Sequence, residues 1–366
     1  MDKKSKKKYF LNILIILLVG GLSIYFSIGS QLQSTIHYLT HANYLWIVIC
    51  IIVMFIYYLV NALGLVVFAR VYKKDYTIKQ GITNSLSGVF FSGITPMSTG
   101  GQFYQVYVFN KQGISATFSS SILLMLFIVY QSVLVVYTSI IMLFRYTYYS
   151  SIYSKFFSLA IIGFLINFAV ISSLFLGAKS RRLQNFVCNN ILKLLAKVHI
   201  VRNYEDKRIK IERQLSSFRD ELTLLQKNRE VLIKSILLNV LRLTLLYSMP
   251  FLTAKAMGTA LNWSYFFDFI GITSFIYMIS DFVPLPGASG GSEGTFYFLL
   301  HGFLKGGTSA TLLVWRFITY YMGLIVGGIT VMISKEIHTT KSKIATSNDE
   351  VIVEEIDEIQ LQDIKK

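Results

Sequence analysis

A succession of long apolar runs constrains this chain more than any other feature. They cover residues 9–28, 44–68, 116–144, 156–176, 231–252 and 308–333. Each approaches or exceeds the ~20 residues that a helix needs to cross ~30 Å of hydrocarbon. In lipid the backbone must satisfy its own hydrogen bonds, so such runs commit the chain to helices. Only 15% of the residues are charged and the mean hydropathy is +0.55, as expected where lipid is the solvent. The net charge of +16 is spread as short basic segments beside apolar runs, which is a topology signal rather than a nucleic-acid footprint. Cys50 and Cys188 form neither a disulfide nor a metal-ligand pattern.

The start, MDKKSKKKYFLNILIILLVGG, has the basic front and apolar core of a signal peptide. The run at 9–28 is long enough to span and no small-residue cleavage pattern follows, so it reads as a retained first helix.

Lysine and arginine then set the topology. Lys3, Lys4, Lys6, Lys7 and Lys8 place the N-terminus in the cytoplasm, and residues 29–43 hold neither basic residue type and fall outside. Arg70, Lys73, Lys74 and Lys79 return to the inside. Two further apolar segments, 81–110 and 265–304, are interrupted by Pro, Ser and Gly. If the first of these crossed fully, the basic stretch 179–234 would lie outside; a hairpin that enters and returns keeps it cytoplasmic. Arg145, Lys155, Lys255 and Lys305 are isolated exceptions on the outer side. The expectation is an all-α polytopic membrane protein of about six transmembrane helices plus two re-entrant broken-helix hairpins, with both termini cytoplasmic.

The interrupted segments resemble each other. ITPMSTGGQFYQVYVFNKQGISAT (94–117) and VPLPGASGGSEGTFYFLLHGFLKGGTSAT (283–311) share a proline, a short spacer, Ser, a Gly-Gly pair, a polar residue and an aromatic-rich half helix. Entered from opposite sides, they form an inverted repeat, which in transporters puts a substrate site near the midplane. The bland alternative is that Gly and Pro only permit close helix packing. The expected breaks or hinges are Pro96, Gly100 and Gly101 in the first segment and Pro284, Pro286, Gly287, Gly290 and Gly291 in the second.

Polar residues in such segments are costly and usually face a cavity. Glu293 opens the half helix after the second break, where it either caps the helix N-terminus or binds a cation, a proton or a headgroup. Gln102 and Gln105 occupy the matching positions of the first repeat. Arg242 and Arg316 lie inside apolar spans, to pair with Glu293, Asp281 or an anionic ligand. Ser98, Thr99 and Ser289 complete the candidate substrate-binding set. Asp268 reads as ordinary interface, and Asn61, Gln131, Asn167 and Asn239 as interhelical hydrogen bonds.

Residues 178–230 alternate basic, apolar and acidic groups with helical spacing, either an amphipathic helix on anionic headgroups or a strut on the bundle's cytoplasmic ends. Residues 335–366 form an acidic cytoplasmic tail, leaving 1–334 as the transmembrane domain. No phosphate-binding loop, HExxH, CxxC pair, GxSxG or dinucleotide fingerprint occurs. No cofactor or metal is expected.

At Thr95-Pro96-x-Ser98-Thr99-Gly100-Gly101-Gln102 and Pro284-x-Pro286-Gly287-x-Ser289-Gly290-Gly291-x-Glu293, the sequence resembles the lysylphosphatidylglycerol synthase transmembrane-region family. These flippase-like domain proteins include the membrane half of MprF, and the resemblance runs from about residue 9 to 334. Arg316 also resembles an arginine common in the family's last span. Two departures stand out. Many relatives carry an acid and an arginine where this chain has Gln102 and Gln105. MprF proper also has an acyltransferase-like domain that moves lysine from charged tRNA to phosphatidylglycerol, and the sequence given ends soon after the last span.

The resemblance implies a translocating module in a bacterial plasma membrane. It would move an anionic or aminoacylated phospholipid, or a lipid-linked headgroup, between leaflets. Its partners would be that lipid, a separate lipid-modifying enzyme and further copies of itself, with no nucleic acid. The competing readings are a membrane component of a phosphatidylglycerol lysyltransferase, tied to antimicrobial-peptide resistance, and a proton-coupled transporter of a small solute. Catalysis within this chain is not expected.

Overall fold

A computed structural model describes residues 32–152, 154–179, 204–280 and 283–338. The expected first span at 9–28, residues 180–203 of the linker, Asp281 and the tail beyond 338 lie outside the described residues. Among the described residues every regular element is helical.

A short helix, α1 (Leu32–Thr40), leads into α2 (Tyr44–Tyr72), whose N-cap Asn43 accepts a hydrogen bond from the Leu45 amide. Next come α3 (Ile78–Gly93), opened by a reciprocal Thr77–Gln80 capping box, and α4 (Thr99–Lys111). Then α5 (Ala116–Ile152), α6 (Ser154–Lys179), α7 (Tyr204–Lys227) and α8 (Arg229–Ala256) follow. The chain closes with α9 (Phe266–Ser280), α10 (Gly291–Leu304), α11 (Thr308–Arg316), α12 (Met322–Ile333) and α13 (Lys335–His338). A π-helical turn, Phe317–Tyr321, joins α11 to α12 without a break.

Four segments are long and apolar enough to cross a membrane: 44–72, 116–141, 229–256 and 286–333. The expected run at 156–176 lies within α6, which has a shorter apolar stretch at 161–173. The last of the four is a hairpin rather than one span. Lys305 at φ +47° ends α10, and α11 folds back along it. Phe296 then stacks on Trp315 with ring centres 4.8 Å apart, and His301 Nδ1 hydrogen-bonds Thr308 Oγ1 at 3.1 Å. The fold is that of an all-α membrane protein.

The hydrogen bonds identify two ends of the bundle. At one, Gln112 gathers four residues: Tyr76 donates to its Oε1 (2.6 Å), and its Nε2 donates to Gln80 O (3.0 Å) and Glu336 Oε2 (3.1 Å). Lys73 donates to its carbonyl (2.8 Å). At the other end the Asn43 amide donates to Ala256 O (2.7 Å), so α2 and α8 run antiparallel. Trp46 and Trp263 meet there, with ring centres 5.9 Å apart.

The two interrupted segments are helical hairpins rooted at opposite ends. In the first, α3 and α4 lie side by side with Phe91 stacked on Tyr104 (3.8 Å); α3 begins and α4 ends near Gln112. In the second, α9 and α10 pair near the Trp263 end, where Tyr265 meets Phe303 (5.4 Å). Their tips, Pro96–Ser98 and Pro286–Ala288, touch each other inside the bundle.

The first break is not where the Gly-Gly pair suggests. Met97 and Ser98 take the left-handed conformation (φ 52° and 55°), while Gly100 and Gly101 are already in the first turn of α4. Proline at the first position of the tip turn ends α3, because the residue before a proline avoids helical geometry. Gly101 serves contact instead: a Cβ there would lie 1.9 Å from Ser92 Oγ and 2.7 Å from Gly88 O. Its absence lets α4 lie against α3. In the second tip the glycines at 287 and 290 do take positive φ, 61° and 87°. Gly291, like Gly100 and Gly101, belongs to a helix.

Lipid gives little hydrophobic drive between helices, so close packing and hydrogen bonds hold such a bundle. Gln131 Nε2 donates to Asn167 Oδ1 (2.6 Å), joining α5 to α6 as expected, whereas among the described residues Asn239 bonds within its own helix, to Ser235 O (2.8 Å). The described part of the linker, α7, packs on α5 and α6, with Leu225 and Glu221 buried. Burial pushes the Glu221 carboxyl above the usual carboxylate range, and Tyr72 donates to its Oε2 at 3.5 Å. Asp268, expected at an ordinary interface, is buried in the first turn of α9, where the helix dipole favours a carboxylate.

Candidate functional site

Where the two tips meet, α2, α5 and α8 stand back and leave a cavity of about 680 Å³. The stretches that line it, 57–65 of α2 and 239–246 of α8, lie midway along their helices. The first hairpin contributes Ser85, Gly88, Ser92, Ser98, Gln102 and Gln105. The second contributes Leu285, Gly287 and Ser292, and the α11–α12 segment adds Trp315, Arg316, Thr319 and Tyr320.

Of the residues expected from sequence, Ser98, Gln102, Gln105, Arg242 and Arg316 line this space. Glu293, Thr99 and Ser289 do not. Thr99 is exposed and its hydroxyl donates to Pro96 O (3.0 Å); Ser289 is buried and donates to Pro286 O (3.0 Å). Each thus fixes its own tip.

Glu293 lies behind the cavity wall and is 4% exposed. Its Oε2 accepts from the Gly290 amide (2.7 Å) and the Ser292 hydroxyl (3.0 Å), so it caps the start of α10. Its Oε1 accepts from Arg316 Nε at 2.6 Å. Cap and ion pair are therefore one arrangement. Arg316 Nη2 also donates to Gly287 O (2.9 Å), and its guanidinium lies 4.8 Å from the centre of the Tyr320 ring. Gly287 is required twice over: φ is 61°, and a Cβ would fall 2.3 Å from Tyr320 Cε2. The Tyr320 hydroxyl reaches across to donate to Gly93 O of the first hairpin (3.0 Å). The π turn that carries Tyr320 follows Arg316 directly, and such turns are frequent at functional sites.

Arg242 is held differently. Its Nη1 donates to Asn61 Oδ1 (2.7 Å), and Asn61 Nδ2 donates to Ser85 Oγ (2.9 Å). The guanidinium stands 4.5 Å from the centre of the Tyr130 ring. Among the described residues no carboxylate lies within ion-pair distance of it. The half-buried cation of α8 thus rests on a neutral amide and an aromatic face.

The aromatic side of the site, Tyr57, Tyr130, Tyr277, Trp315 and Tyr320, was not legible in sequence. Aromatic residues at helical spacing read as packing, and nothing in their pattern marks a cavity wall. Asn61 carried a partial signal as a polar residue inside a span; its partner is 181 positions away.

Residues 10–327 match the family described as Lysylphosphatidylglycerol synthase TM region. A UPF0104 membrane protein of Archaeoglobus fulgidus is 26% identical over 303 residues, covering 79% of this chain and 87% of its own length. No solved structure matches. The matched region takes in both hairpins and the cavity between them, and on this evidence the chain belongs to the lysylphosphatidylglycerol synthase transmembrane-region family.

Proposed function

We propose that this protein is a lipid translocase of a bacterial plasma membrane, with both termini cytoplasmic. The two hairpins are re-entrant: the first dips in from the cytoplasmic side, the second from outside. A phospholipid headgroup crosses through the cavity at their tips while its acyl chains stay in lipid. The observation that carries this reading is Arg242, a mid-span guanidinium facing a cavity with only neutral partners among the described residues. A cation at that depth is costly and points to an anionic ligand. The planar guanidinium fork suits a phosphate.

Three further features support the reading. The Asn61 amide and the Tyr130 ring orient the guanidinium without neutralising it. Gln102 and Gln105 offer neutral hydrogen-bonding groups for the rest of a headgroup. Non-helical backbone in lipid is tolerated only where protein buries it or a cavity borders it, as at both tips. Glu293 acts through Arg316, holding that residue and the second tip in place.

The test is headgroup movement in reconstituted vesicles with fluorescently labelled phosphatidylglycerol. Arg242→Gln loses a charge-assisted contact, and translocation falls about tenfold or more. Wild-type rates in that variant would remove the phosphate anchor from the reading. Aminoacyl lipid formed by the purified chain from charged tRNA and phosphatidylglycerol would favour the transferase reading instead.

A further inference from the structure

The charges around the cavity discriminate between headgroups. Two guanidinium groups line it, and they are not equivalent. Arg316 is buried and paired with Glu293, so that pair is close to neutral as a unit. Arg242 faces the same space on Asn61 and Tyr130, with no carboxylate in ion-pair range among the described residues. The other polar side chains on the wall, among them Ser85, Ser98, Gln102, Gln105 and Thr319, are uncharged, and among the described residues no carboxylate lines the cavity. The described wall therefore presents one net positive charge. A half-buried cation without a counterion is disfavoured until an anion arrives.

We infer that the cavity selects a headgroup carrying a single phosphodiester negative charge and otherwise uncharged hydroxyl groups, and discriminates against headgroups that bear ammonium groups. The inference rests on the translocase reading and names its substrate class. The phosphate meets Arg242, and the hydroxyls meet the glutamine and serine groups of the first hairpin. An aminoacylated phospholipid brings the same phosphate but adds ammonium groups. These find no carboxylate on the described wall, and Arg242 repels them. The carrier of the phosphate is lipid rather than a water-soluble diester. Beside the polar groups, the wall presents Leu123, Leu126 and Phe127 of α5 and the face of Tyr130, a surface suited to apolar chains.

The experiment uses the full chain in phosphatidylcholine nanodiscs doped with phosphatidylglycerol, phosphatidylethanolamine or lysyl-phosphatidylglycerol, with equilibrium binding read for each lipid. A parallel arm adds soluble glycerophosphoglycerol as competitor. Phosphatidylglycerol binds about tenfold or more tightly than the lysyl lipid, because the ammonium groups add repulsion to a phosphate attraction that both lipids share in a partly desolvated site. Arg242→Gln levels the preference. Gln102→Glu, at an exposed position on the wall that tolerates the change, raises affinity for the lysyl lipid and lowers it for phosphatidylglycerol.

Equal or tighter binding of the lysyl lipid by the unmodified chain overturns the inference. So does an unchanged ratio of the two affinities in Gln102→Glu. Competition by the soluble diester at concentrations matching the lipid overturns the lipid source. Selective binding without translocation of any lipid sinks the translocase reading and leaves the inference standing. Translocation without charge preference does the reverse.

Discussion

Neutralising one member of the Glu293–Arg316 pair should have markedly unequal effects depending on which is changed. In Arg316→Gln the Glu293 carboxylate, 4% exposed, keeps its bonds from the Gly290 amide and the Ser292 hydroxyl but loses its cation. Stranding a buried charge costs about 3–5 kcal/mol. In Glu293→Gln the side-chain oxygen still caps Gly290, as glutamine does in a capping box. The guanidinium keeps the Gly287 carbonyl and borders the cavity, so the loss is smaller, about 1–3 kcal/mol. The double variant holds two amides and no charge, and falls by about 2 kcal/mol. The singles would sum to more than the double, giving a coupling energy of about 4 kcal/mol. Equilibrium unfolding of the four proteins in lipid micelles measures it. Additivity within about 0.5 kcal/mol, or a costlier Glu293→Gln than Arg316→Gln, would refute the paired arrangement.

Two other outcomes test the packing of the bundle. Gly101→Ala places a methyl group against Ser92 and the Gly88 carbonyl, and lowers stability by about 1–3 kcal/mol through overpacking of the first hairpin; unchanged unfolding would show that α4 does not lie so close to α3. Glu221→Gln should stabilise the fold at neutral pH. The folded protein holds the Glu221 proton more tightly than the unfolded chain, so its contribution is present at acid pH and is lost as pH rises through the raised folded value. The melting difference between variant and parent should therefore shrink toward acid pH, and a constant difference would contradict the cause assigned to it.

Much of the bundle was legible because its signals are local. Apolar runs at 44–68, 116–144, 156–176 and 231–252 fall within α2, α5, α6 and α8, since length and hydropathy decide what can cross lipid. The matched Pro-Ser-Gly-Gly stretches marked both hairpins. Pro96 does open the first tip, but Gly100 and Gly101 fall in α4, because the left-handed positions are Met97 and Ser98, which carry no sequence signature for positive φ. The pairing of Arg316 with Glu293 was among the open alternatives, and the choice between cap and ligand for Glu293 turned on two oxygens with separate partners. Sequence could not pair Arg242 with Asn61, because helix rotation and tertiary packing bring them together across 181 positions. For the same reason Tyr57, Tyr130 and Tyr277 read as core until the space beside them was visible.

The buried pair also governs how the chain can be delivered into a membrane. The 14 residues of α10 extend only ~21 Å, too short to span hydrocarbon, and carry a carboxylate at one end. Arg316 rides on the following arm, 23 residues later. Either charge entering hydrocarbon alone costs several kcal/mol, whereas the two enter together as one nearly neutral unit. Pairing within the folded chain thus lowers the cost of burying either arm in hydrocarbon.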